Sequence, residues 1–118
     1  MKENMLIITK VKQTIEYLDK IIDNFPNKEI VLRNELNTKC YKLLETSYYA
    51  KHSIDENKYQ YQLDMIVCIK MIDYYLKRSM DKKIISYQKY TKIGKHLLEL
   101  IKMTQTWIKN EKNRKYIS

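Results

Sequence analysis

Lysine side chains dominate the charged chemistry at the C-terminal end of this sequence. Polar residues recur every three or four positions along the outer side of the last amphipathic segment, and four of these six are lysines. They are Lys92, Lys95, Glu99, Lys102, Thr106 and Lys109, and further basic residues flank them. The basic set comprises Lys82, Lys83, Lys89, Lys92, Lys95, Lys102, Lys109, Lys112 and Arg114. A lysine ammonium group is a point charge that suits phosphate contact, whereas reading of base edges favours the arginine fork. These residues are therefore candidates for contacting a nucleic-acid backbone.

Two interpretations of this basic segment are open, because a lysine-rich helix face is often only a solvated surface. The whole chain has 23 basic and 14 acidic residues, a net charge of +9, and residues 82–118 alone carry a net +8. In that region only Glu99 and Glu111 offset the positive charges, so few internal ion pairs can neutralise them. This segregation favours an anionic partner such as RNA or DNA.

The 11 tyrosines also allow two interpretations. The pairs Tyr48-Tyr49 and Tyr74-Tyr75 are of a type that stacks on single-stranded bases. Tyrosine is equally suited to bundle edges and subunit interfaces, because its ring is apolar and its hydroxyl is polar. Packing is the favoured interpretation.

No recognised catalytic or metal-binding motif accompanies these residues. His52 and His96 are isolated, and the sequence lacks the histidine–glutamate spacings of metalloenzymes and any glycine-framed nucleophile. The best enzyme hypothesis, His96 with Glu99 and Lys102 in a cleft between subunits, is disfavoured. We therefore expect a protein that is not an enzyme and that uses no cofactor and no metal.

The cysteines and the N-terminus bear on the compartment. Cys40 and Cys68 lie in apolar segments without the spacing of a zinc or redox motif, which favours buried free thiols over a disulfide. Free thiols predict a cytoplasmic protein. The N-terminal apolar run, residues 5–8, is too short for a signal peptide or a membrane span, so no membrane contact is expected.

The elements that carry these residues are predicted to be helices. A single glycine and a single proline in 118 residues argue against β-sandwiches, barrels and glycine-rich phosphate loops. Apolar residues at spacings of three and four predict helices over about 4–25, 28–52, 54–80 and 87–111 of one domain, residues 1–118. Short turns between long helices predict an all-α, antiparallel up-down-up-down four-helix bundle. The polar tail from Glu111 is expected to fray.

Three local signals mark the helix ends. Pro26 should end the first helix, Ser53-Ile54-Asp55-Glu56 has the form of a capping box for the third, and Ser86 is the expected N-cap of the fourth.

Trp107 is expected to be a core residue, because a buried tryptophan is more frequent than an exposed anchor. The predicted inner stripes are Ile8, Val11, Ile15, Leu18, Ile22 and Phe25; Leu32, Leu36, Cys40, Leu43, Ser47, Ala50 and Ile54; and Tyr90, Gly94, Leu97, Ile101, Thr104 and Ile108.

The third segment is apolar on more than one face. A helix of this kind is buried on more than one side, and in a short chain the second side is most simply covered by another subunit. Its apolar and aromatic residues are Tyr59, Leu63, Met65, Ile66, Val67, Cys68, Ile69, Met71, Ile72, Tyr74, Tyr75 and Leu76. The sequence therefore predicts a homo-oligomer.

Short motifs in the chain resemble a family of small bacterial four-helix-bundle proteins. The segment Phe25-Pro26-Asn27-Lys28-Glu29, followed by Leu32 and Leu36, is similar to that family's Phe-Pro-Lys-Ser-Glu junction. Ile85-Ser86, Tyr90, Glu99, Lys102, Met103 and Trp107-Ile108-Lys109 look like its Ile-Ser, Tyr, Glu-Ile-Gly-Arg-Met and Gly-Gly-Trp-Ile-Lys elements. The family comprises the accessory variability determinant (Avd-type) proteins of diversity-generating retroelements and the ribosomal RNA intervening-sequence proteins.

The likeness covers roughly residues 10 to 110 and includes departures. Ile101, Gln105 and Thr106 stand where the family has glycines, and Lys102 stands where it has arginine. The basic excess and the absence of an Asn-Ile-Ala-Glu-Gly segment favour the retroelement branch.

The resemblance implies a homopentamer shaped like a short barrel. Proteins of that branch bind a reverse transcriptase and the template RNA, and they support the mutagenic cDNA synthesis that diversifies a target gene without being catalysts. The expectation is thus a cytoplasmic accessory protein that binds a reverse transcriptase and RNA or DNA. The alternative is a structural or protein-interaction bundle of the intervening-sequence type, whose basic surface docks an acidic protein.

Overall fold

Four long α-helices make up the chain. A computed structural model describes the backbone of residues 2–117 and the side chains of residues 5–114. Within that range it contains α1 (Lys2–Ile22), α2 (Ile30–His52), α3 (Asp55–Asp81) and α4 (Tyr87–Ile117), a 3-10 turn at Asn27–Glu29, and no strand. The all-α prediction is therefore confirmed.

Each helix packs against two others around a shared core. In the described part of the chain, α1 contacts α2 and α4, and α3 contacts α2 and α4. The diagonal pairs, α1 with α3 and α2 with α4, make no comparable approach there. The molecule measures 53 × 22 × 19 Å, its length set by α4, whose 31 residues span about 46 Å at the helical rise. This arrangement is a four-helix bundle.

The first junction differs slightly from the prediction. Helix α1 ends at Ile22 rather than at residue 25, because the amides of Asn24 and Phe25 donate to the carbonyls of Ile21 and Ile22 in tighter turns. Phe25 is nevertheless buried in the core. Pro26 then precedes the 3-10 turn, which takes the place of the first turn predicted for α2.

The capping box predicted for α3 is wrong. Ser53 is the residue that follows the end of α2, and the N-cap position of α3 is occupied by Ile54, with no side-chain cap. The Ser-x-x-Glu pattern is therefore one residue out of register with the helix start. Asp55 adopts a left-handed φ of 52°, a conformation that aspartate tolerates better than most residues.

The third junction is closed by two recognisable motifs. The amide of Ile84 donates to the Ser79 carbonyl at 2.8 Å and that of Lys83 to the Met80 carbonyl at 2.9 Å, while Lys83 has a φ of 63°. This is a Schellman motif with lysine in the position that usually takes glycine. Ser86 then caps α4, accepting a hydrogen bond from the Lys89 amide at 3.1 Å, which confirms the predicted N-cap.

The core contains most of the predicted stripes. All six predicted residues of the first stripe are buried. In α2 the middle of the predicted stripe is buried, together with Thr46, which the prediction did not include. At the ends of the stripe Leu32 is half-buried and Ile54 is 74% exposed. Ile54 lies outside both helices, so the period of α2 no longer governs where its side chain points.

The inner stripe of α4 is rotated from the predicted one. Its buried residues are Ile93, Leu97, Leu100, Thr104 and Trp107. Of the predicted stripe only Leu97 and Thr104 are fully buried; the other members, Tyr90, Gly94, Ile101 and Ile108, are half-buried at its edge. Trp107 is a core plug as predicted, and burial of this largest side chain fixes the orientation of the helix. The helix also continues to Ile117, beyond its predicted end at residue 111.

Helix α3 buries one side and leaves apolar side chains on the other. Its inner side comprises Gln62, Met65, Cys68, Ile69, Ile72, Leu76 and Ser79. On the opposite side Val67 is 62% exposed and Tyr74 is 54% exposed, with Leu63 and Met71 half-buried between charged neighbours. Among the described residues, α3 contacts only α2 and α4, and Val67 and Tyr74 remain exposed beside them.

Candidate nucleic-acid interface

Five exposed lysines follow one another along α4, and three of them lie on its outer side. Lys89, Lys92, Lys95, Lys102 and Lys109 are all exposed. Lys95, Lys102 and Lys109 lie on the side of the helix opposite the buried stripe, whereas Lys92 lies at its flank and Lys89, in the first turn, precedes buried Ile93 by four residues. At the helical rise the row is about 30 Å long, comparable with one turn of a nucleic-acid duplex. We refer to these five residues as the lysine row.

The carboxylates nearest the lysine row are engaged by other partners. Glu99 lies 3.0 Å from the ammonium of Lys10, which reaches across from α1. Glu111 pairs with Lys58 at 3.6 Å and with Arg114 at 3.3 Å. Among the side chains of residues 5–114, none of the lysines listed here has a carboxylate within salt-bridge distance: Lys89, Lys92, Lys95, Lys102 and Lys109. The row therefore presents a positive potential that the bundle does not neutralise.

A polar cluster between α1 and α4 involves one member of the row. The Lys10 ammonium donates to His96 Nδ1 at 3.1 Å, and the His96 ring lies 5.4 Å from the Tyr17 ring. The ammonium of Lys92 lies 5.9 Å from the Tyr17 ring centroid. His96 and Glu99 thus share Lys10 as a partner, and this arrangement accounts for both side chains by packing between two helices.

The predicted residues outside the lysine row fall into two groups. Lys82 lies in the turn before α4, where its ammonium contacts Glu29 at 2.7 Å, and the neighbouring Lys83 belongs to the Schellman motif. Lys112 and Arg114 lie near the other end of α4, on the wall of a cavity. The structure therefore does not bring all nine predicted residues together.

The cavity lies between the first turns of α3 and the last turns of α4. Its volume is about 390 Å³, and it is lined by both charged and apolar side chains. Tyr59 is 41% exposed on one side of the cavity, and the ammonium of Lys112 lies 5.4 Å from its ring centroid. Lys58 is largely buried behind it, between Glu111 and the ring of Trp107, which lies 5.3 Å from the ammonium.

Gln62 is the cavity residue that sequence reasoning missed. Its side chain is 1% exposed, and its Nε2 has no hydrogen-bond partner among the described residues. Glutamine is polar, so the apolar pattern of α3 does not include it. The available signal was its position, three residues before Met65 on the side of α3 that is otherwise apolar.

The pKa values of the two buried cysteines and of Tyr90 are raised. Burial raises the pKa of the Cys40 thiol to about 12, and burial also raises the pKa of Cys68, which donates to the Lys39 carbonyl at 3.2 Å. Burial and a 3.0 Å hydrogen bond to Asp73 raise the pKa of Tyr90 to about 12. Both cysteines are free and buried, as the sequence predicts. Neither thiol has the lowered pKa of a reactive nucleophile.

Two further searches of the described residues gave no site. No group of three or more histidine, cysteine or carboxylate side chains in that range is arranged to hold a metal ion. No helix in the described part of the chain is both long enough and apolar enough to span a bilayer.

Comparison with known proteins returned no relative. No protein family, no curated protein and no solved structure matches the chain.

Proposed function

We propose that this protein is a non-enzymatic accessory factor that binds nucleic acid through the lysine row. The observation that carries the proposal is the exposure of five lysines over about 30 Å of one helix, with no carboxylate partner for them among the described residues. A polyanion whose charges repeat along a line is the ligand that such a row complements. The predominance of lysine favours contact with phosphates over recognition of base sequence.

The retroelement role extends this proposal. On the resemblance of the Pro26 junction and the Trp107 segment to Avd-type proteins, the partners are a reverse transcriptase and its template RNA or cDNA. Burial of Trp107 and Phe25 supports a structural role for the two resembling segments. The two buried free cysteines are in keeping with a cytoplasmic protein.

The proposal also covers the directions of the helices and the association of copies of the chain. We infer that the helices run antiparallel, up-down-up-down, because contacts between neighbouring helices pair rising with falling residue numbers. The pairs are Lys39 with Cys68 and Glu35 with Tyr75 (α2 and α3), Lys58 with Glu111 and Asp73 with Tyr90 (α3 and α4), and Lys10 with Glu99 and Tyr17 with Lys92 (α1 and α4). The outer side of α3, which carries exposed Val67 and Tyr74, is the surface through which copies would assemble into a ring or barrel, a pentamer by the resemblance. A ring would repeat the lysine row once per subunit.

A salt series with charge-reversal variants tests the nucleic-acid function. Affinity for a structured RNA is measured from roughly 50 to 300 mM salt for the wild type and for the triple variant Lys95→Glu, Lys102→Glu, Lys109→Glu. Each phosphate neutralised contributes about −0.7 to −0.9 to the slope of log affinity against log salt. We expect the triple variant to bind at least about 100-fold more weakly, with a slope shallower by about 2 units.

A matched triple variant controls for net charge alone. Lys20→Glu, Lys28→Glu and Lys42→Glu change the charge by the same amount at exposed positions outside α4. We expect this control to retain most of the affinity, and both variants to keep the helical circular dichroism and the oligomer mass of the wild type. Equal loss in both variants would mean that only overall charge attracts RNA. Unchanged affinity in the first variant would contradict the proposal and favour a bundle that docks an acidic protein.

Co-purification tests the polymerase partner. A tagged copy of this chain is expected to retain a retroelement reverse transcriptase expressed with it, both with and without nuclease treatment. Capture that disappears after nuclease treatment would mean that RNA alone connects the two proteins.

A further inference from the structure

The cavity between α3 and α4 contains an unsatisfied polar group. Gln62 Nε2 is a hydrogen-bond donor in a side chain that is 99% removed from solvent, and it has no acceptor among the described residues. Buried polar groups in folded proteins are nearly always paired, so each exception asks for an explanation. Because Gln62 lines the cavity, a ligand atom bound there could act as the acceptor.

The size and lining of the cavity suit an aromatic ring. Its volume of about 390 Å³ lies in the range of small-molecule sites. Tyr59 offers a partly exposed ring face, the Lys112 ammonium lies on that ring, and Ile108 adds an apolar wall. Stacking on tyrosine is the common way in which proteins hold unpaired bases.

The charges of the lining favour an uncharged ligand group. Three basic and three acidic side chains line the cavity: Lys58, Lys112, Arg114, Asp55, Glu56 and Glu111. The six formal charges of the lining cancel, and Glu111 pairs with both Lys58 and Arg114. A phosphate would meet no excess of positive charge inside, whereas a neutral base carries hydrogen-bond acceptors on its edges for Gln62.

The lysine row leads to the mouth of the cavity. Lys109, the last member of the row, lies three residues before Lys112, about one helical turn away. A nucleic-acid strand whose phosphates follow the row would therefore bring its bases to the cavity.

We propose that this cavity takes one unpaired nucleobase of the nucleic acid bound along the lysine row, stacked on Tyr59 and hydrogen-bonded to Gln62. The proposal rests on the nucleic-acid function proposed above and assigns a second element of recognition to it. The lysine row supplies affinity from phosphates, and the cavity supplies a preference for RNA with an unpaired base.

Three hairpin RNAs that differ at one position test the proposal. The first is fully paired, the second has a single-nucleotide bulge, and the third has the same bulge with an abasic residue. The second and third have the same phosphates and differ only by one base. We expect the wild type to bind the bulged RNA about 10-fold or more tightly than the abasic RNA. Each of the four bases is placed in the bulge in turn, with the abasic RNA as the reference.

Two variants locate the base in the cavity. Gln62→Leu replaces the amide with an apolar side chain of similar size. Tyr59→Leu removes the stacking ring at a position that is partly exposed. Both are expected to lower the ratio of the abasic to the bulged Kd to about 1 while leaving affinity for the paired hairpin unchanged. Gln60→Leu and Tyr41→Leu, at exposed positions outside the cavity, are the matched controls and should keep the wild-type ratio.

The stability of the free protein gives a second readout. Removing a buried donor that has no partner should leave the thermal midpoint of Gln62→Leu unchanged or raise it, whereas a purely structural glutamine would lower the midpoint when replaced. Loss of base preference without loss of stability is therefore the expected signature.

The outcomes separate the two proposals. Salt-dependent binding with equal affinity for the bulged and abasic RNAs would overturn the base site and leave the nucleic-acid function standing. A preference that persists in both Gln62→Leu and Tyr59→Leu would also overturn it, because the base would then bind elsewhere. Absence of binding to all three hairpins would refute the nucleic-acid function and the base site together.

Discussion

Helices α3 and α4 bury their inner sides in the same core but present opposite chemistry on their outer sides. The outer side of α3 exposes Val67 and Tyr74, whereas that of α4 exposes Lys95, Lys102 and Lys109. Apolar residues spaced by three and four positions specify only which side of a helix faces the core. The composition of the other side indicates the partner: an apolar side matches another protein surface, and a row of like charges matches a polyanion.

The largest effect is expected from charge on the outer side of α3. If this surface joins copies of the chain, the double variant Val67→Glu, Tyr74→Glu should be monomeric, since it places paired carboxylates in an apolar contact. Light scattering gives the mass, and circular dichroism should show unchanged helix. The control Val31→Glu, Tyr41→Glu makes the same two replacements at exposed positions of α2. Equal dissociation by both pairs, or by neither, would place the contact elsewhere.

The next largest effect concerns the register of α4. Leu100 is fully buried and Leu98 is 52% exposed. Leu100→Ala should lower the free energy of unfolding by about 2–5 kcal/mol, because it leaves a cavity in the core. Leu98→Ala should change it by less than about 0.5 kcal/mol. Urea unfolding of the two variants measures both values, and comparable losses would mean that the helix is rotated from the orientation described.

The stability of the protein at alkaline pH tests the burial of Cys40 in the core that α3 and α4 share with the other helices. Burial raises the pKa of Cys40 from 9.0 to about 12, so the folded state favours the protonated thiol. The stabilisation from this shift is complete below about pH 9 and is lost as the pH rises towards 12. At roughly pH 10.5 the loss amounts to about 2 kcal/mol. In Cys40→Ala the fall in unfolding free energy between roughly pH 8 and 10.5 should be smaller by that amount than in wild type. The exposed-tyrosine variant Tyr41→Phe is the control, and an identical fall in Cys40→Ala would contradict the prediction.

The smallest effect on stability is expected from the residues at the N-termini of α4 and α3. The Ser86 hydroxyl accepts a hydrogen bond from the Lys89 amide, whereas α3 has no side-chain cap. Ser86→Ala should therefore lower the free energy of unfolding by about 1 kcal/mol, and Ser53→Ala should leave it nearly unchanged. Thermal unfolding of both variants measures these changes. A loss of similar size in Ser53→Ala would contradict this prediction and indicate that Ser53 caps α3.

The sequence predicted elements better than orientations. Periodic apolar residues define α1 clearly because its polar residues interrupt every turn. In α4 the apolar residues span a wide arc that includes Tyr90, Ile93 and Ile101, so the period alone does not locate its centre. Burial of Trp107 against the other helices fixes that centre, and this is a tertiary effect.

The candidate site was predictable only in part. Local charge along one helix is visible in the sequence, so the sequence predicts the lysine row. The cavity depends on the approach of residues near the start of α3 to residues near the end of α4, which lie some 50 positions apart in the chain. Its most informative residue, Gln62, is polar and buried, a combination that no periodic pattern selects.

The narrow cross-section of the bundle, 22 × 19 Å, bears on how the protein unfolds. With one layer of side chains at its centre, removal of any one helix would expose the inner surfaces of both its neighbours. Local opening of a single helix is therefore costly, and the chain should unfold in one cooperative transition. If copies associate through α3, the folded state is further stabilised by mass action, and the melting temperature should rise with protein concentration.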